Sequence, residues 1–151
     1  MRGFYNVIDK IRENLEASEF VNTMTYGDIH QVDLAKKTMF PLSHYMVDGF
    51  TYGENIITYD ISFLCMDIIN ISKDEVTDVF HGNSNEQDIL NTQHQVLIDL
   101  FDSLKTGDLY VEGYQLIGDP SPEPFIDRFD NVLAGWAVSF QISVINDNTC
   151  P

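Results

Sequence analysis

Basic side chains are scarce in this sequence. Eight Lys and Arg stand against 24 Asp and Glu, a formal net charge of −16 over 151 residues. The deficit is uneven: residues 1–37 hold five basic and six acidic side chains, whereas residues 38–151 hold only Lys73, Lys105 and Arg128 against eighteen acids. A surface of that sign repels polyanions, which argues against sequence-specific nucleic-acid binding. Cysteine is scarcer still. Cys65 and Cys150 are too few for a disulfide framework, and Cys65, inside an apolar run, reads as a small core residue. A reducing cytoplasm is the expected compartment. Long hydrophobic runs are missing, since none approaches the ~20 residues that span a bilayer. Met1-Arg2-Gly3 runs into an amphipathic segment rather than a signal peptide, so a soluble chain is expected.

Patterns that carry chemistry are missing as well. His30, His44, His81 and His94 are far apart, and none pairs with a cysteine or another histidine at metal-ligand spacing. His44 follows Ser43, but neighbours on a strand point to opposite faces, so a structural role is expected for it. Asp74, Glu75 and Asp78 lack the alternation and central glycine of a calcium loop. No glycine-rich phosphate loop occurs. The chain is therefore expected to have no catalytic residues, no cofactor, no metal and no small-molecule substrate.

What is present is one long strand signal. Over Asn55–Ile71, Ile57, Tyr59, Ile61 and Phe63 alternate with Thr58, Asp60 and Ser62, the period of a strand with one buried face. From Phe63 the run Phe63-Leu64-Cys65-Met66 is apolar on both faces, which predicts cover from both sides by a helix or a neighbouring subunit. The other elements order themselves around it. Phe4, Ile8, Ile11 and Leu15 mark one face of a helix over about Phe4–Ala17. Thr25-Tyr26-Gly27-Asp28 signals a turn, and Ile29–Leu34 a short strand. A strand over Thr38–Val47 contains Pro41, which predicts an edge, a bulge or a break there. Phe50-Thr51-Tyr52, between two glycine turns, predicts a hairpin arm near 48–56.

Residues 72–83 read as a polar loop. Ser84 and Gln87 fit a capping box, and Ile89, Val96, Leu97, Leu100, Phe101 and Leu104 form the stripe of a second helix that Gly107 ends. Leu109–Ile117 reads as a strand weakened by Gly113, and 118–124, with three prolines, as a stiff loop. Phe125–Phe129 reads as a short helical or irregular docking piece. Gly135 precedes a last strand in which Trp136, Val138, Phe140, Ile142 and Val144 alternate with Ala137, Ser139, Gln141 and Ser143. Grouped strands without regular helical crossovers predict a single α+β domain over 1–151, with a mostly antiparallel sheet and two main helices packed on it.

Several stretches carry a likeness. Phe40-Pro41-Leu42-Ser43-His44, the run from Glu54-Asn55-Ile56-Ile57-Thr58-Tyr59 through Met66-Asp67-Ile68, Asp88 with Asn91-Thr92-Gln93, and Arg128-Phe129 with Ala134-Gly135-Trp136 together resemble small virion proteins of tailed bacteriophages. The likeness takes in nearly the whole chain and includes proteins of crAss-like and other Bacteroidetes phages. The order of elements is similar to that of tail terminator and neck (head–tail connector) proteins. The resemblance implies an α+β subunit that assembles into a homo-oligomeric ring in the virion neck or tail, next to other neck, portal and tail proteins. DNA would pass through the ring without specific binding, and no membrane would be involved. The expected interface residues are Phe50, Tyr52, Leu64, Met66 and Arg128, the last through an intersubunit salt bridge or a local pair with Asp127. A second class of function also suits the acidity: a monomeric or dimeric binding module, such as a DNA-mimic inhibitor of a host protein.

Overall fold

The structure, a computed structural model, describes residues 4–27, 40–69, 86–128 and 132–145. The expected strand at 29–34, the loop at 72–83 and the cap residue Ser84 lie outside the described residues. The elements are helix α1 (Phe4–Glu16), strands β1 (Thr23–Tyr26), β2 (Leu42–Tyr52) and β3 (Ile56–Ile68), helices α2 (Glu86–Lys105) and α3 (Asp108–Val111), and strands β4 (Gln115–Ile117), β5 (Glu123–Arg128) and β6 (Val132–Ile145). They form an α+β fold around one six-stranded mixed sheet of order β1-β2-β3-β6-β4, with β5 also paired to β6. Only β1 and β2 run parallel; the remaining pairs are antiparallel.

β3 is the central strand, as its alternation predicts. It pairs with β2 along one edge and with β6 along the other, from Ile56↔Ile145 to Ile68↔Leu133. Tyr59, Ile61, Phe63 and Cys65 join Val138, Phe140, Ile142 and Val144 on the face that α1 and α2 cover. The seam of α1 is Val7, Ile11 and Leu15, spaced by one turn. Phe4 stays exposed and instead makes edge contacts with Tyr5 and Tyr26. From α2 come Val96, Leu97, Leu100 and Leu104, together with Gln93, a buried polar residue whose Nε2 donates to the Phe20 carbonyl at 3.5 Å. Tyr45 OH donates to the Ile8 carbonyl at 3.1 Å, tying α1 to the sheet.

The two-sided apolar stretch of β3 has its second cover within the chain. On the opposite face Met66 packs with Phe40, Leu42 and Leu133, bordered by Leu64, Ile68 and Phe125. β2 begins at Leu42, directly after Pro41, and the expected strand residues 38 and 39 lie outside the described residues. The Pro41 carbonyl accepts from the Asn22 and Thr23 N–H groups, which starts the parallel β1–β2 pair.

Four local readings need correction. Thr25 and Tyr26 lie in β1, and only Gly27, at φ +109°, turns. Leu109–Ile117 is not one strand but the short helix α3 followed by β4. Gly113, at φ +95°, sits just past the helix end; its N–H bonds the Tyr110 carbonyl and that of Tyr114 bonds the Leu109 carbonyl, at 3.0 and 2.9 Å. That is a Schellman stop, with Leu109 and Tyr114 buried together, so the glycine ends a helix rather than weakening a strand. Residues 123–128 are strand β5, not a helical or irregular piece, because β6 begins at Val132 and offers them an edge. Gly135 therefore lies inside β6. A Cβ there would collide with the Cys65 carbonyl and come within 2.8 Å of the Met66 Cα, so only glycine allows β3 and β6 to approach at that point.

Candidate functional site

β2 carries a bulge between Val47 and Gly49. Before it, Tyr45 and Val47 pair with Phe63 and Ile61 on the helix-covered face. After it, Phe50 and Tyr52 pair with Tyr59 and Ile57. Had the ladder run through Asp48 with no bulge, strict alternation would place Phe50 and Tyr52 on the opposite face. The bulge brings both aromatics to the helix side at the outer end of the hairpin. There Phe50 is 64% exposed and Tyr52 68%, and the Phe50 ring lies 6.2 Å from that of Tyr59. Ile56 and Ile145, paired at the same end of the sheet, are also exposed.

The other expected interface residues lie elsewhere. Leu64 is half-buried on the face opposite the helices, beside the Met66 cluster, and lies five positions along β3 from Tyr59, or roughly 17 Å at the rise of a strand. Met66 is 0% exposed within a single chain, so it is a core residue with no surface to offer a neighbour. The Arg128 backbone pairs with Val132, while its side chain lies outside the described residues. The fold thus joins Phe50 to Tyr52 and separates both from Leu64 and Met66.

A second apolar surface lies at the opposite edge of the sheet. β4 and β5 share the outer edge of β6, and residues 118–122 cross between them, with Gly118 at φ +69°. Where this strap passes α2 it leaves a groove of about 310 Å³ lined by His94, Leu97, Ile98, Phe101, Pro120, Pro122 and Trp136. No carboxylate is in that lining. Phe101 is fixed edge-on against Phe140 at 5.4 Å, and the Trp136 Nε1 donates to the Leu90 carbonyl at 2.8 Å. The sequence shows these residues only as a helix stripe and a proline loop; their meeting depends on β5, which periodicity does not reveal.

The remaining surface is acidic. Asp48 accepts from the Ser62 hydroxyl, and Asp60 accepts from Gln141 Nε2 at 2.7 Å. With Asp119 they line a shallow groove of about 360 Å³ on the uncovered face. Each cation whose side chain is described is already held within the chain. Lys10 lies 2.8 Å from Glu112, Arg12 3.0 Å from Asp9, and Lys105 2.8 Å from Asp119. Glu112 raises the Lys10 ammonium above its ordinary value, and Lys105 holds the Asp119 carboxyl below its own.

Candidate reactive groups are committed to structure. His44 is buried, with Nδ1 2.7 Å from the Thr25 hydroxyl and Nε2 2.7 Å from the Gly27 carbonyl. A carbonyl only accepts, so Nε2 carries the proton there. Burial pushes the Cys65 thiol up to about 12, and its Sγ faces the Gln93 and Trp136 carbonyls. His30, His81, Asp74, Glu75, Asp78 and Cys150 lie outside the described residues. Among the described residues no group of three or more His, Cys, Asp or Glu is placed to hold a metal ion. Among them, too, no helix is long and apolar enough to cross a membrane. No protein-family model matches the chain, and no curated protein matches it.

Proposed function

We propose that this chain is a structural virion protein whose copies assemble into a ring in the neck or tail of a tailed bacteriophage, as a tail terminator or head–tail joining protein. The observation that carries the reading is the pairing of an acidic surface, its described cations internally neutralised, with exposed apolar side chains at two opposite sheet edges. Opposite edges give a head-to-tail contact, which generates closed rings when the rotation per copy closes. A lumen lined by carboxylates passes DNA without capture, because adhesion to DNA depends on Lys and Arg neutralising phosphates. In this reading the chain acts by shape and charge, not by catalysis. Its partners are further copies and the neck, portal or tail proteins above and below. The direct test is incubation with purified phage connector or tail complexes, followed by electron microscopy. Added density as a collar at the head-proximal tail end is the expected result, and failure to join either complex counts against it.

The carboxylate-lined groove of Asp48, Asp60 and Asp119 favours a second reading, an acidic module that binds a basic protein as a DNA mimic. That reading expects a monomer or dimer, and loss of binding when Asp60 and Asp119 become Asn. The ring reading expects those two changes to leave self-assembly intact.

A further inference from the structure

The exposed aromatics of β2 and the groove beside α2 have matching chemistry and lie at opposite edges of the same face of the sheet. Phe50 and Tyr52 project on the helix side of β2; the groove opens on the helix side of β6, beyond β3. They are also far apart along the strands. Tyr52 is level with Ile57 and Val144, whereas the groove residue Trp136 is eight positions away on β6, roughly 27 Å at ~3.4 Å per residue. One molecule therefore cannot fill its own groove with its own hairpin.

We infer that the hairpin of one copy seats Phe50 and Tyr52 in the groove formed by Leu97, Ile98, Phe101, Pro120, Pro122 and Trp136 of the next copy. Charge selects this occupant. In a chain of net −16, a second copy is repelled wherever carboxylates meet. The groove lining holds no carboxylate, and across residues 49–57 the only charged side chain is Glu54 in the turn. A basic partner would find no anion in the groove and would be drawn to the acidic face instead. Size agrees as well: a volume of about 310 Å³ is at the lower end for sites that enclose a small organic group, suited to aromatic side chains. Aromatic anchors in apolar pockets are the side chains that dominate interface energetics. Prolines stiffen the strap, so its side of the groove is held in place before contact. The inference deepens the ring reading, but the contact itself stands whether the copies close into a ring or form open chains.

The test uses the full chain with Cys150→Ser, so that engineered thiols are the accessible ones. Phe50→Cys and Ile98→Cys are made separately, oxidised alone and then mixed, with circular dichroism confirming that each variant is folded. The expected result is a disulfide-linked dimer in the mixture and none in either variant alone. Phe50→Asp should also raise the midpoint concentration for self-association about tenfold or more, while Ser139→Asp, exposed on the opposite face of the sheet, leaves it unchanged. A Phe50→Cys variant that links to itself overturns the proposal in favour of a two-fold contact. So does a folded Phe50→Asp variant that associates like the parent, or a parent that is monomeric at every concentration and salt level. Linked open oligomers without rings would sink the ring reading and leave this contact standing; rings that ignore Phe50→Asp would do the reverse.

Discussion

Gly135 is the residue at which backbone geometry most tightly restricts the choice of side chain. A Cβ at that position meets the Cys65 carbonyl and the Met66 Cα, both main-chain atoms that cannot swing aside. Gly135→Ala should therefore cost roughly 3 kcal/mol, the upper end for overpacking, seen as a lower urea midpoint with an unchanged slope. Cys65 and Tyr45 set a pH limit. Burial raises the thiol and the phenol to about 12, from ordinary values near 9 and 10. The folded state therefore favours their protonated forms. Their stabilisation is complete below about pH 9 and is lost as pH rises from there to about 12. Tyr45→Phe should flatten that alkaline decline. Cys65 should resist alkylation at pH 8 in the native protein and react once urea unfolds it; labelling at the native rate of a free thiol would contradict its burial.

At the scale of elements, the bulge at Asp48 decides which face the hairpin aromatics join. Deleting Asp48 would remove the bulge yet leave Gly49 opposite Asp60, Phe50 opposite Tyr59 and Tyr52 opposite Ile57, so both aromatics stay on the helix side. The subunit should fold, with a native-like circular dichroism spectrum, and keep its self-association. Loss of association in a folded deletion variant would mean that the bulge itself, and not only the face of these side chains, is needed for the contact. Strong periodicity made β3, β6 and both main helices legible in the sequence, because each buries one regular face. Phe50 and Tyr52 were legible as exposed hairpin residues, yet their face was not, since a bulge leaves no periodic mark. β5 was hidden for a different reason. Glu123-Pro124-Phe125-Ile126 begins with a charge and a proline and becomes a strand only because β6 extends to Val132 and presents an edge. Gly113 was visible, but its role depended on whether the preceding residues were helix or strand. The apolar end of β3 was expected to be covered on its second face by a helix or a neighbouring subunit; Met66 is instead buried within the chain, packed with Phe40, Leu42 and Leu133.

For the molecule as a whole, the proposed assembly sets apolar contact against the repulsion of a net charge of −16. The described cations are paired within the chain, so added salt chiefly screens repulsion between copies. Assembly should strengthen as sodium chloride rises from about 0.05 M, where the Debye length exceeds ~10 Å, to about 0.5 M. Association that weakens with salt would instead point to ion pairs between copies and bring Arg128 to the front. The most direct test of the ring is light scattering at about 0.5 M salt over a range of protein concentrations, with negative-stain images of the same samples. The account predicts a mass that reaches a fixed multiple of the monomer and particles with a central hole. A monomer at every concentration, which also fails to join purified connector or tail complexes, would contradict it.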